Sequence, residues 1–201
     1  TLKLSGDVAK LDPRAKLPVA DLAIGALRRM AREQFDYFTH LLETLAAADE
    51  QIDLFEFSLS KLVIRHLEPN FLKQRKKPAQ VYSLKRFGHE CSVLISSLAC
   101  TAGSDVETMQ TAYQAGAGHL AAATKLNQLP AAECGLQELD QSLVALVGVG
   151  PNLKRQLIEA AAATVSADGY LQIQEAELLR AISDSLNCPM PPLAIALDTA
   201  A

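Results

Sequence analysis

Five carboxylates stand at related places in two distant segments: Asp49, Asp53 and Glu56 in ADEQIDLFEF, and Asp168 and Glu175 in ADGYLQIQE. Oxygen ligands of this kind suit hard cations such as Ca²⁺ and Mg²⁺, so both turns are candidate weak divalent-cation sites. The same residues also have a purely local use. Asp49 and Asp168 can accept amide hydrogen bonds inside a turn, and Glu56 and Glu175 sit where negative charge complements a helix N-terminus. Asp53 followed by Glu56 is a capping-box pattern. The second copy carries Gln172 at the Asp53 position, a poorer cap, and lacks the extra acidic positions of a twelve-residue calcium loop. Capping is therefore the favoured role, with bound metal the alternative.

The remaining reactive residues do not assemble a catalytic set. His89-Glu90-Cys91-Ser92-Val93 begins like the H-E-x-x-H helix of zinc peptidases but has valine where the second histidine ligand belongs. Cys91 lies two residues from His89, and residues two apart on a helix do not face one another. His40, His66, His89 and His119 are scattered and read as packing or surface residues. The small-residue stretches QAGAGHL and GVGPN lack the lysine and the strand context of a nucleotide-binding loop. Lys73, Arg75, Lys76 and Lys77, with Lys85 and Arg86 beyond them and Phe71, Tyr82 and Phe87 nearby, read as a solvated basic stretch, with contact to lipid headgroups as the alternative.

Composition says what must position these residues. The chain has 201 residues, 49% of them hydrophobic and only 5% aromatic, a balance that favours helices packed through leucine and alanine. The formal charge of -4 provides no field to recruit nucleic acid, and no nucleic-acid partner is expected. Cys91, Cys100, Cys134 and Cys188 show no C-x-x-C spacing, which reads as free thiols in a reducing compartment. The chain opens TLKLSGDVAKLDPRAKLP with no initiator methionine, signal-peptide core or transmembrane run, and it is read as a processed or cloned fragment of a longer protein.

Apolar spacing sets out the elements. Pro13 and Pro18 limit any early helix, so residues 1–19 read as a leader, with a short helix from Asp21 through Leu22, Leu27 and Met30. Phe35, Phe38, Leu41, Leu42, Leu45 and Ala46 form one helical face ending near Asp49. A new helix follows from Asp53 through Leu59, Leu62, Val63 and Leu67 until Pro69 stops it. QRKKPA, residues 74–79, is a basic linker. Leu84–Leu98 resumes the apolar pattern, and Asp105 starts a helix to about Ala123, where Gly116 and Gly118 weaken the helix or permit close packing. Further helices span about Leu136–Val147, Leu153–Val165 and Ile173–Leu186, the last one closed by PMPP.

Two of these helical pairs repeat. FTHLLETLAAADEQIDLFEFSL (38–59) aligns without a gap on LIEAAAATVSADGYLQIQEAEL (157–178), matching Asp49 with Asp168, Ile52 with Leu171 and Glu56 with Glu175. Each copy is an apolar helix, an acidic turn carrying one inward aliphatic residue, and a helix with glutamate in its first turn. Gly169 can turn left-handed cheaply. The fold class is all-α: a multi-helix bundle with hairpins at 35–68 and 153–187 that can share one core.

These paired hairpins resemble the helical fold of tellurite-resistance TerB-like proteins. Residues 167–192, ADGYLQIQEAELLRAISDSLNCPMPP, look like the close of the C-terminal region of bacterial membrane-associated M48-family metallopeptidases, and LLETLAAADEQIDLFEFSLSKLVIRHL is similar to its earlier part. The resemblance covers roughly residues 20–192, expected as a single TerB-like domain, with 193–201 as a tail. It implies that a transmembrane and zinc-peptidase portion precedes this region in the parent protein. Acidic residues associated with metal binding in TerB-like folds land on Asp49, Glu56, Asp168 and Glu175, with Asp53 an additional candidate.

The expected function is a non-catalytic regulatory, scaffolding or protein-interaction domain of a larger membrane-associated zinc metallopeptidase. The fragment itself is expected to be no enzyme and to need no cofactor beyond a weak divalent cation, with zinc confined to the catalytic portion. Expected partners are that peptidase portion, other proteins or a second copy. The expected location is a cytoplasmic soluble domain attached to an inner-membrane protein. The competing readings are a divalent-cation sensor using the acidic turns and an independent hydrolase.

Overall fold

The computed structural model describes residues 7, 10–11, 13–48, 54–72, 80–103 and 105–190. Among them are eight α-helices and one short 3-10 helix, and the pairing of Val81 with Val149 is an isolated bridge rather than a strand. The all-α class therefore holds. The chain divides into two compact units, residues 1–76 and 77–201, with the boundary inside the basic linker QRKKPA. Residues 20–192, read above as one domain, span both units.

The first unit contains α1 (Pro13–Leu27), α2 (Arg32–Ala48) and α3 (Leu54–Phe71). The expected leader is helical from Pro13 onward. Proline suits a first helical position because the amide it lacks would be unpaired there anyway, while Pro18, inside α1, costs the helix one hydrogen bond. Among the described side chains of α1, Ile24 is the buried one, at 4% exposure, whereas Leu22 is 79% exposed. Helix α2 runs to Ala48, as its apolar spacing predicts, and buries Phe35.

Helix α3 continues through Pro69 instead of stopping before it. Its last turn is held from α2: the rings of Phe35 and Phe71 stack with centroids 4.6 Å apart, and the Arg32 guanidinium donates to the Phe71 carbonyl. A cation at a helix C-terminus also complements the helix dipole. These contacts offset the hydrogen bond that Pro69 cannot make. Helix α3 packs against both α1 and α2.

The second unit contains α4 (Gly88–Thr101), α5 (Val106–Leu120), a 3-10 turn at Ala131–Glu133, α6 (Leu136–Leu146), α7 (Pro151–Val165) and α8 (Ile173–Ser185). Helix α4 is buried without interruption from Cys91 to Ala99, as expected of a helix surrounded by others. It packs against α5, α6 and α7, while α8 lies on α7 and α6. Leu94, Ile95, Leu98, Leu120, Leu139, Leu146, Leu157, Ile182 and Leu186 form the fully buried core.

Helices α5 and α7 meet where Gly116 has no side chain. A Cβ there would lie 1.9 Å from Thr164 Oγ1, 2.8 Å from the Ala160 carbonyl and 3.2 Å from Ile95 Cγ2. Of the two roles open to Gly116, close packing is the one realised. The hairpin α2–α3 belongs to the first unit and α7–α8 to the second.

Candidate functional site

Three of the five candidate carboxylates escape geometric description: Asp49 and Asp53 lie outside the described residues, and Glu56 lies on α3 with its side chain outside them. The second copy is clear. Asp168 Oδ1 accepts the Tyr170 amide at 3.0 Å, a local turn bond of the kind short carboxylates make. Gly169, at φ 86°, supplies the left-handed residue that the turn requires. Three residues on from Gln172, Glu175 Oε2 accepts the Gln172 amide at 2.8 Å, the glutamate half of a capping box. Both carboxylates thus bond to backbone amides of the turn between α7 and α8.

Their surroundings differ. Asp168 is exposed and Glu175 half-buried. Burial pushes the Glu175 carboxyl above its ordinary range, the Gln172 amide offsets part of the rise, and the Asp168 charge adds to it. Two carboxylates on one turn could share a cation, but every oxygen-to-amide bond described there also serves the turn. Among the described residues, no three of His, Cys, Asp and Glu converge as they would around a metal ion.

The cysteine–histidine pair is not assembled. Cys91 is fully buried, and burial, with the neighbouring Glu90 charge, pushes its thiol up to about 12, far from the thiolate that nucleophilic chemistry uses. His89 is exposed on the same helix, and Val93, at the zinc-ligand position of the H-E-x-x-H pattern, is buried in the core. His40 and His119 are also exposed, and His66 is half-buried on α3.

Lys73, Arg75, Lys76 and Lys77 lie outside the described residues. Lys85 and Arg86 are exposed in the turn before α4. Of the aromatics beside them, Phe71 is stacked on Phe35 and Phe87 is buried, leaving Tyr82 at the surface. No helix among the described residues is long and apolar enough to cross a membrane.

Two features of this chain were not visible as sites in its sequence. The first is a groove of about 480 Å³ along α2, lined by Met30, Glu33, Gln34, Tyr37, Phe38 and Leu41. Met30 precedes α2, and the other five recur along it at three- and four-residue intervals, so one stripe of α2 forms most of the groove wall. Tyr37 is 69% and Leu41 42% exposed. The available signal was Tyr37 beside Phe38, which extends the aromatic surface of α2 around the helix, Tyr37 remaining exposed.

The second is a row of buried serines on α4. Ser92 Oγ donates to the Gly88 carbonyl at 2.7 Å and accepts the Asn127 amide at 3.0 Å. Ser96 Oγ accepts the Leu129 amide at 3.0 Å, and Ser97 Oγ donates to the Cys134 carbonyl at 3.3 Å. The irregular segment after α5 is thereby fastened along the central helix. This accounts for three hydroxyls in the otherwise apolar buried stretch of α4, where each needs a partner.

No protein-family model, curated protein or solved structure significantly matches the chain. The functional reading consequently rests on the residues themselves.

Proposed function

We propose that this chain is a non-catalytic regulatory and protein-interaction domain, TerB-like in fold, of a larger membrane-associated zinc metallopeptidase of the M48 kind. The observation that carries the interaction role is the α2 groove: an apolar stripe at helical spacing, with Tyr37 and Leu41 turned to solvent. Such a groove suits the apolar face of an amphipathic segment, and aromatic residues are common anchors in interfaces. The partner is the peptidase portion of the parent chain. The family part of the proposal is supported by the paired acidic hairpins and the NCPMPP ending. In it, zinc and the H-E-x-x-H helix belong to the peptidase portion, and no residue of this chain is assigned to zinc.

The interaction is tested by capture of the separately expressed peptidase portion on the immobilised chain. Tyr37→Glu combined with Leu41→Glu, both at exposed positions, is expected to weaken capture at least roughly tenfold, the scale of an interface anchor. Unchanged capture would refute the groove, and self-association abolished by the same variant would reassign it to a second copy. The full-length gene product tests the family: a transmembrane segment and an H-E-x-x-H helix should precede Thr1.

A second reading, a divalent-cation sensor, is favoured by the placement of Asp168 and Glu175 on one turn, where the Asp168 charge acts on the Glu175 carboxyl. Calorimetry of the chain with Ca²⁺, Mg²⁺, Mn²⁺ and Zn²⁺ decides it. Binding lost in Asp168→Asn would support it, and no heat at millimolar cation would exclude it.

A further inference from the structure

In the second unit the fold fastens the backbone of Cys134 to the helix that carries Cys100. The Ser97 hydroxyl holds the Cys134 carbonyl at 3.3 Å, which docks the end of the 3-10 turn against α4. Cys100 follows Ser97 by three residues and Ser96 by four, so all three occupy one side of α4. The Cys134 thiol is half-buried and directed back to the Leu129 carbonyl at 3.8 Å, whereas Cys100 is exposed on the last turn of α4. Cys91 is sealed in the core and Cys188 follows α8.

We propose that Cys100 and Cys134 are a redox pair in which Cys100 meets a small disulfide from solvent and Cys134 resolves the adduct. The Cys100 thiolate attacks one sulfur of the small disulfide, forming a mixed disulfide and expelling one small thiolate. The Cys134 thiolate then attacks Cys100 Sγ, closing the protein disulfide and expelling the second. The two protein thiols are oxidised and the small disulfide is reduced to two thiols, which take up the two protons the cysteines lose.

Electrostatics agree with the placement and set the pace. Partial desolvation raises both thiols above their ordinary range; at Cys134 the charge of Cys100 adds to the rise, hydrogen bonds with Ser96 and Ser97 offset part of it, and Glu133 raises it slightly. Because thiolate is the reacting form, exchange is slow at neutral pH. The bond would add a covalent link to the serine contacts that already fasten this segment to α4.

The test is incubation of the full chain with glutathione disulfide at mildly alkaline pH, followed by acid quenching, alkylation of remaining thiols in denaturant and peptide mapping. The expected product joins Cys100 to Cys134 and leaves Cys91 and Cys188 alkylated. Cys134→Ser should stop at the glutathione adduct on Cys100, and Cys100→Ser should form neither product. An adduct persisting on Cys100 of the unsubstituted chain, a bond to another cysteine, or no modification in the folded chain would overturn the proposal.

Discussion

Replacing Gly116 by alanine places a methyl carbon 1.9 Å from Thr164 Oγ1 and 2.8 Å from the Ala160 carbonyl oxygen, with Ile95 Cγ2 at 3.2 Å. Rotating Thr164 away gives little relief, because its hydroxyl is bonded to that same Ala160 carbonyl at 2.9 Å and the carbonyl belongs to the α7 backbone. Helices α5 and α7 must separate instead. Overpacking of this kind costs about 1–3 kcal/mol, against a gain of about 1 kcal/mol from exchanging glycine for alanine within a helix. Gly118 is the internal control, on the same helix, exposed, with nothing within 4 Å of an added Cβ. Gly118→Ala should therefore stabilise by about 0.5–1 kcal/mol, while Gly116→Ala gains nothing or destabilises by up to roughly 2 kcal/mol after its own propensity gain. Urea unfolding followed by circular dichroism reads both as shifts in midpoint at unchanged slope. If the two variants shift in the same direction, the close approach at Gly116 is wrong. In a Thr164→Ala background the Gly116→Ala cost should shrink, since one of the clashing atoms is gone.

Three further outcomes follow from single contacts. Ser96→Ala leaves the Leu129 amide without its partner and should cost about 1–3 kcal/mol in the same unfolding assay. Glu175 has its carboxyl raised above the ordinary value of 4.5, so its contribution to stability is complete below that value and is lost as pH rises through the higher folded-state one. Glu175→Gln should retain the cap and flatten the melting temperature across that window; an unchanged profile would contradict the assignment. Asp105 behaves oppositely, because its bonds from Thr108 hold the carboxyl below the ordinary value of 3.8. Its contribution is present above that value and lost as pH falls through the lower folded-state one, and Asp105→Ala should remove this acid sensitivity and fray the start of α5 in hydrogen exchange.

The sequence was most readable where a short-range rule decides the outcome. Asp105 caps α5 through the Thr108 amide at 2.8 Å and Gly169 takes the left-handed turn, while α7 begins at Pro151, two residues before the Leu153 that the apolar spacing marks. Each depends on residues within one helical turn. The prolines were misjudged because their local cost is offset by distant groups: Pro69 stays inside α3 with Phe71 anchored by Phe35 and Arg32. Nor could apolarity alone rank Ile24 above Leu22, since that depends on where α3 lies. The serine contacts span 33 to 37 residues, and no helical periodicity carries information over that distance. Of the candidate site, Asp168 and Glu175 were legible as turn and capping residues, whereas the α2 groove required knowing which part of an apolar face its neighbour leaves uncovered.

The amides of Asn127 and Leu129 belong to a segment without regular structure, yet both end on hydroxyls of the central helix. Exposure of either to exchange requires detaching the segment from α4, so its opening free energy should approach that of the helix rather than of a surface loop. The segment would then protect its amides on the core's timescale and resist nicking by proteases for the same reason. In the second unit, irregular backbone is thus no guide to where the native state opens first.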